Sequence, residues 1–195
     1  MAEHGAGERV QSPFHIPEIS RHVAPTLVTE RLVLRHIRPS DVEYFASTHA
    51  NEDVMRHVGG TIGREDAWRR AMTGAGFWGV LGIGLWVVEQ QPDGQAIGHV
   101  GFFDFQRDMQ PSIAGEPEMG WIFSPQGQGK GFAFEAGSAA LQWFDEAVGA
   151  VSVPAIIDID NAPSMKLAER LGFERLADAT YRGGPMGYFR RPARG

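Results

Sequence analysis

The sequence predicts a mixed α/β domain in which antiparallel hairpins alternate with helical crossovers. Three observations carry that prediction. Short runs rich in β-branched and aromatic residues alternate with helically spaced apolar stripes. A Pro92-Asp93-Gly94 turn joins two of those runs. A glycine-dense loop at 124–131 separates a strand-like segment from a long striped helix. At 195 residues, 43% of them hydrophobic, the chain is sized for one domain and can bury a core without disulfides.

The elements follow in order. Residues 1–25 hold glycines, prolines and scattered charge without periodicity, and are expected to be an extension, partly disordered or draped on the surface. The domain is expected over 26–195. A first strand is expected over 27–37. Ser40 is placed to cap a helix running to about His49, with Val42 and Phe45 opening its apolar face. Helical segments follow over 51–58 and 64–73, and Gly74 and Gly76 are expected to end the second of these. Strands at 84–89 and 96–105 flank the Pro-Asp-Gly turn as a hairpin. A polar loop at 107–116 leads to the strand Glu118–Phe123. The long helix carries Phe132, Ala136, Ala139, Ala140, Trp143 and Phe144 at helical spacing. A strand at 152–158 and a helix at 161–171 follow. Pro163 lies in that helix's first turn and Gly172 beyond its end. Two strands, 173–181 and 187–191, close the domain.

Composition narrows the function classes. Acidic residues number 24 and basic residues 18, a formal net charge of −6. That balance argues against nucleic-acid binding through phosphate contacts and against a polybasic membrane-surface role. The longest apolar run, 76–88, is broken by glycines and falls short of the ~20 residues that span a bilayer. The N-terminus lacks the basic-then-apolar pattern of a signal peptide. A cytoplasmic location, as monomer or homodimer, is the expectation. With no cysteine, thiolate nucleophiles and cysteine-ligated zinc are excluded, and no His-x-x-x-His pair suggests a metal site.

The loop before the long helix holds Gly127, Gly129 and Gly131 in alternation. The first N–H groups of a helix lack internal partners and sit at its positive end, and glycines let that backbone approach a phosphate. The Walker pattern fails because no Gly-Lys-Ser/Thr closes the loop. The dinucleotide fingerprint fails because its third glycine falls on Phe132 or Phe134. Gln126-Gly127-Gln128-Gly129-Lys130-Gly131 fits Gln-x-x-Gly-x-Gly instead.

That loop resembles the acyl-CoA pyrophosphate loop of the GNAT N-acetyltransferases. Three further stretches resemble the RimJ/RimL-like branch, which acetylates protein N-termini and small amines. They are Thr29-Glu30-Arg31-Leu32 with Pro39-Ser40-Asp41, then Glu118-Met119-Gly120-Trp121-Ile122-Phe123 with the start of the long helix, and Asn161-Ala162-Pro163-Ser164 with Leu171-Gly172-Phe173. The resemblance spans roughly 26–191 and implies a largely antiparallel, twisted sheet with helices on both faces. It implies acetyl-CoA as cosubstrate and an amine acceptor, a protein N-terminus or a small molecule. It also implies site roles. The backbone of Trp121, Ile122 and Phe123 would pair with the pantetheine arm and polarise the acetyl carbonyl. Gln126 and the backbone of Gln128, Gly129, Lys130, Gly131, Phe132 and Ala133 would hold the pyrophosphate. Asn161 would bond the pantetheine, and Ser164 would protonate the departing thiolate. Helix capping is the competing role for Asn161 and Ser164.

An amine acceptor is mostly protonated at neutral pH, with a pKa of about 10.4 for a lysine-like amine and about 7.7–8.0 for an α-amine, so a base is needed. Glu118 is the candidate, on the same strand face as Gly120 and Ile122; Glu116 is the alternative. Glu135 is expected to be structural. His99 is placed to face either cleft or core. Trp68, Phe77, Trp78 and Trp86 are placed to line an acceptor pocket or the core. A non-catalytic acyl-CoA sensor is the rival function, since the glycine loop serves both.

Overall fold

A computed structural model describes residues 23–193. The expected extension, 1–25, lies outside the described residues except for its last three. Val23 is exposed, but the next two residues are already docked. Ala24 is buried in the main core, and the Trp86 indole donates to the Pro25 carbonyl at 2.8 Å.

The chain runs β1 (Leu27–Val28), β2 (Leu32–Arg35), a 3-10 turn at Pro39–Asp41, α1 (Val42–His49), α2 (Glu52–Met55) and α3 (Arg64–Leu81). It continues through β3 (Leu85–Gln90), β4 (Gln95–Phe103), β5 (Glu118–Phe123), a second 3-10 turn at Pro125–Gly127, and α4 (Phe132–Ala147). It ends with β6 (Val153–Asp158), α5 (Ala162–Arg170), β7 (Glu174–Tyr181) and β8 (Gly184–Arg191). Strands β1 to β5 form one antiparallel sheet in sequence order, and β6, β8 and β7 form a second antiparallel sheet in that order. Strands β5 and β6 lie side by side but do not pair, so each offers an open edge to the other.

The two faces of the larger sheet bury different sets. One face, with Leu32, Leu34, Trp86, Val100, Phe102, Met119 and Phe123, packs on α4 through Phe132, Ala136, Ala140 and Phe144. That core continues beneath the second sheet through Val153, Ala155, Ile157 and Phe189. The other face, with Leu85, Val87 and Phe103, packs on Phe45 of α1 and on Ala67 and Ala71 of α3.

The structure corrects three local expectations. The first strand is two short strands, β1 and β2, paired antiparallel around the turn at 29–31. Ser40 is not the cap; the Asp41 carboxylate accepts from the Arg38 N–H at 2.6 Å and is clamped by Arg35. Helix α3 does not stop at Gly74 or Gly76 but runs to Leu81 and ends on Gly82, which adopts the left-handed conformation (φ 70°). Gly74 is there for close approach: a Cβ on it would lie 2.8 Å from the Leu85 Cβ. The 76–88 apolar run is therefore the end of a helix and the start of a strand. No helix among the described residues is long and apolar enough to cross a membrane.

Candidate active site

Strand β5 leaves the sheet into the glycine loop, and the loop's shape is fixed by sterics. Gly127 has no room for a side chain, since a Cβ would sit 2.5 Å from the Ile97 carbonyl oxygen. Gly129 and Gly131 adopt φ of 73° and 81°, conformations that side-chain-bearing residues rarely take. Gln126 is exposed, whereas the Gln128 side chain folds back and donates to the Phe123 carbonyl at 2.8 Å. Across 129–134 no backbone N–H donates to any acceptor among the described residues. A run of unbonded N–H groups at the positive end of a helix is what a phosphate needs. The residues present therefore fit a pyrophosphate.

Across the open edge, α5 brings up Asn161 and Ser164. Asn161 is the helix cap: its side-chain oxygen accepts from the Ser164 N–H at 3.2 Å. The Ser164 hydroxyl does not cap. It lies 3.4 Å from the Trp121 indole nitrogen, which donates to it. The structure thus joins Trp121 of β5 to Ser164 of α5 across the gap between the sheets.

Glu118 lies on the other face of β5, with Gly120 and Ile122, opposite Phe103, Gly101 and His99 of β4. It is buried, and Arg107 from the β4–β5 connection binds it bidentately at 2.6 and 2.9 Å. Burial raises its pKa above the ordinary carboxylate value, and Arg107 offsets only part of that rise. The Arg107 guanidinium is itself sandwiched between the Phe105 and Tyr181 rings, 5.0 and 4.7 Å from their centroids. Glu116, the alternative base, is also held: Arg190 of β8 binds it and contacts the Tyr188 and Ser152 hydroxyls.

His99 is buried beside this face. Its Nδ1 lies 3.0 Å from the Tyr44 hydroxyl, and its ring stacks on His49 with centroids 5.6 Å apart. Burial holds both imidazoles below their ordinary pKa, His99 well below. Trp78 and Trp86 leave the acceptor-pocket set. They are fully buried and meet Trp143 edge to face, with Trp78 donating to the Leu85 carbonyl. Trp68 and Phe77 remain on the α1–α3 side, where Phe77 contacts Phe103 and Phe105.

Sequence reasoning missed Arg107, Arg190, Tyr44 and His49. Each finds its partner only through tertiary pairing, and a lone arginine in a polar loop carries no local signal. Among the described residues no cluster of His, Asp or Glu could hold a metal.

Comparison with known proteins gives the same fold a family. The model of the acetyltransferase (GNAT) domain matches residues 31–174. The uncharacterized N-acetyltransferase YoaA of Bacillus subtilis is 27% identical over 153 residues, 77% of this chain and 84% of its own length. Among solved structures, a Bordetella pertussis protein assigned to the GNAT-family acetyltransferases superposes with a TM-score of 0.76. It is 30% identical, over 86% of this chain and 99% of that one. The spermidine N-acetyltransferase of Vibrio cholerae, solved with CoA and spermine, shares the fold at 17% identity. Its TM-score is 0.66, over 85% of this chain and 97% of that one. With a matching domain model over most of its length, this chain belongs to the GNAT family and is an N-acetyltransferase.

Proposed function

We propose that the chain acetylates a primary amine, using acetyl-CoA, by direct attack with both substrates bound, in the manner of the RimJ/RimL-like branch. The run of unbonded N–H groups over 129–134, set beside the open edge of β5, is the observation that carries this reading. When bound, acetyl-CoA supplies an activated acetyl thioester. The N–H groups of Gly129, Lys130, Gly131, Phe132 and Ala133 neutralise and orient its pyrophosphate, with Gln126 and Gln128 beside them; the Gln128 N–H, expected to join them, is already donated to the Pro125 carbonyl. The backbone of Trp121, Ile122 and Phe123 aligns the pantetheine and donates toward the carbonyl oxygen, where charge develops. Asn161 both caps α5 and faces the same arm.

Glu118 takes the proton that the amine must lose. Its raised pKa makes it a better proton acceptor than an ordinary surface carboxylate, and Arg107 offsets part of the rise that burial causes. Ser164, already polarised by the Trp121 indole, returns a proton to the departing thiolate. The acceptor approaches from the face shared by Glu118, Gly120 and Ile122, which α1 and α3 cover. The acceptor is a protein N-terminus or a small amine. Family membership favours this catalytic reading over a cosubstrate sensor.

The test is thiol release from acetyl-CoA with a panel of peptides bearing free N-termini, amino acids and polyamines. Release with at least one class is the expected result. Tight CoA binding without release for any amine would return the sensor reading.

A further inference from the structure

The turn at 29–31 lies far from the glycine loop in sequence and against it in space. One carboxylate organises that contact. Glu135, in the first turn of α4, accepts from the Thr29 hydroxyl at 2.6 Å, the Arg31 N–H at 3.0 Å and the Arg31 Nε at 2.8 Å. The Arg31 Nη2 lies 2.6 Å from the same carboxylate. Burial alone would raise the Glu135 pKa, but these hydrogen bonds outweigh it and hold it below the ordinary value.

The remaining end of the fork matters more. Arg31 Nη1 donates to the Lys130 carbonyl at 3.1 Å. Lys130 sits between Gly129 and Gly131, in the middle of the unbonded N–H run. A peptide group that turns its N–H toward an anion must turn its C=O away, and a free carbonyl in a glycine-flanked loop can rotate. Arg31 removes that freedom by holding the carbonyl. The guanidinium also lies over the Phe132 ring, 4.7 Å from its centroid, and a Cβ on Gly131 would come within 3.6 Å of its Nη2.

The brace has a rigid base. Gln91 holds the turn from the other side, its side chain donating to the Thr29 and Leu32 carbonyls at 3.1 Å each and its N–H to the Arg31 carbonyl at 2.9 Å. The turn is thus pinned to β3 through Gln91 and to α4 through Glu135.

We propose that Arg31 is a positioning residue for the phosphate loop, fixing the Lys130 peptide so that the adjoining N–H groups are set for the cosubstrate before it arrives. This rests on the acetyl-CoA reading above and adds to it a residue outside the loop. The role is geometric. Glu135 neutralises the guanidinium, so Arg31 acts through its fork and not through a free charge. Lysine keeps the charge but cannot bond Glu135 and the Lys130 carbonyl through two arms of one planar group.

The experiment measures CoA affinity by calorimetry, and KM for acetyl-CoA beside kcat, for wild type, Arg31→Lys, Arg31→Met, Glu135→Gln and the double variant Arg31→Met with Glu135→Gln. Arg31→Met should weaken CoA binding about tenfold or more, a loss of about 1.4 kcal/mol by the affinity conversion. KM should rise while kcat per folded molecule falls far less. Arg31→Lys should recover little. Glu135→Gln should weaken binding in the same direction, and the double variant should be no worse than Arg31→Met alone, because both break one assembly. Wild-type affinity in Arg31→Met or in Arg31→Lys would overturn the inference and leave the acetyl-CoA reading standing. Additive losses would overturn it too. Absence of CoA binding by wild type would overturn both.

Discussion

Arg107 lays its guanidinium along the Glu118 carboxylate, with Nε at 2.6 Å from one oxygen and Nη2 at 2.9 Å from the other. The arginine comes from a loop of the larger sheet and rests on Tyr181 of the smaller one, so the candidate base is tied to both halves of the fold.

Glu118→Gln keeps the shape of the side chain and removes the proton acceptor. Turnover should fall by roughly 10²–10⁴, with CoA affinity preserved and part of the rate recovered at high pH, where free amine is abundant. The substitution also strands a largely buried arginine, which costs about 3–5 kcal/mol when a buried pair loses one partner. Single-turnover rates on the folded fraction, beside urea unfolding, separate the two effects. A rate equal to wild type would move the base to Glu116 or to a relayed water.

Arg107→Gln tests the same pair through pH. Arg107 lowers the Glu118 pKa against the rise due to burial, so its removal raises that pKa further. A base must be ionised to act. The acidic limb of the pH–rate profile should therefore shift to higher pH, and an unmoved limb would dissociate Glu118 from the rate.

Asn161 and Ser164 make opposite forecasts. Asn161 caps α5, so Asn161→Ala should cost about 0.5–2 kcal/mol of stability. Among the described residues the Ser164 hydroxyl bonds only the Trp121 indole, so Ser164→Ala should leave unfolding nearly unchanged and slow the chemical step. Wild-type turnover of Ser164→Ala at saturating substrates would remove it from the mechanism.

The buried histidines give a pH dependence of stability. His49 and His99 face one another, with Tyr44 on α1 and the Arg70 charge on α3 nearby. Both have folded pKa values below the unfolded value of about 6.5, so the unfolded chain takes protons first. Their contribution is complete above about pH 6.5 and is lost as pH falls toward the folded values. Melting temperature measured from pH 8 to pH 5 should drop at the acid end, and His99→Gln should flatten that slope.

Gly74→Ala separates helix propensity from packing. Alanine in a helix interior gains about 1 kcal/mol over glycine. Here its methyl would meet the Leu85 Cβ at 2.8 Å, a stem that cannot rotate away, and overpacking costs about 1–3 kcal/mol. Net destabilisation is expected in urea unfolding.

That glycine also shows where the sequence was legible and where it was not. Periodicity placed the hairpin, β5, α4 and α5 nearly at their observed bounds, because each of those segments decides its own state locally. The end of α3 was misplaced because a glycine marks either a stop or a close contact, and only the position of Leu85 distinguishes them. The phosphate loop was legible because backbone chemistry is written in glycines. The arginines holding Glu116 and Glu118 were not, since pairs such as Arg190 and Glu116 meet only when the second sheet closes on the first. Trp78 could be read locally as either pocket or core, and the core reading holds because it packs edge to face on Trp86 and on the sequence-distant Trp143.

The unpaired edges of β5 and β6 have a consequence for how such a protein diversifies. A peptide edge presents the same donors and acceptors whatever side chains it carries, so a ligand read there as a substitute strand places few demands on residue identity. Gly120 is an exception on steric grounds, since a Cβ would fall 2.7 Å from the Phe103 ring. On the function proposed above, the opposite wall, built by α1 and α3, would read the acceptor through side chains. On that reading donor recognition is robust to substitution and acceptor recognition is labile, which would let one scaffold change its acceptors while keeping its donor.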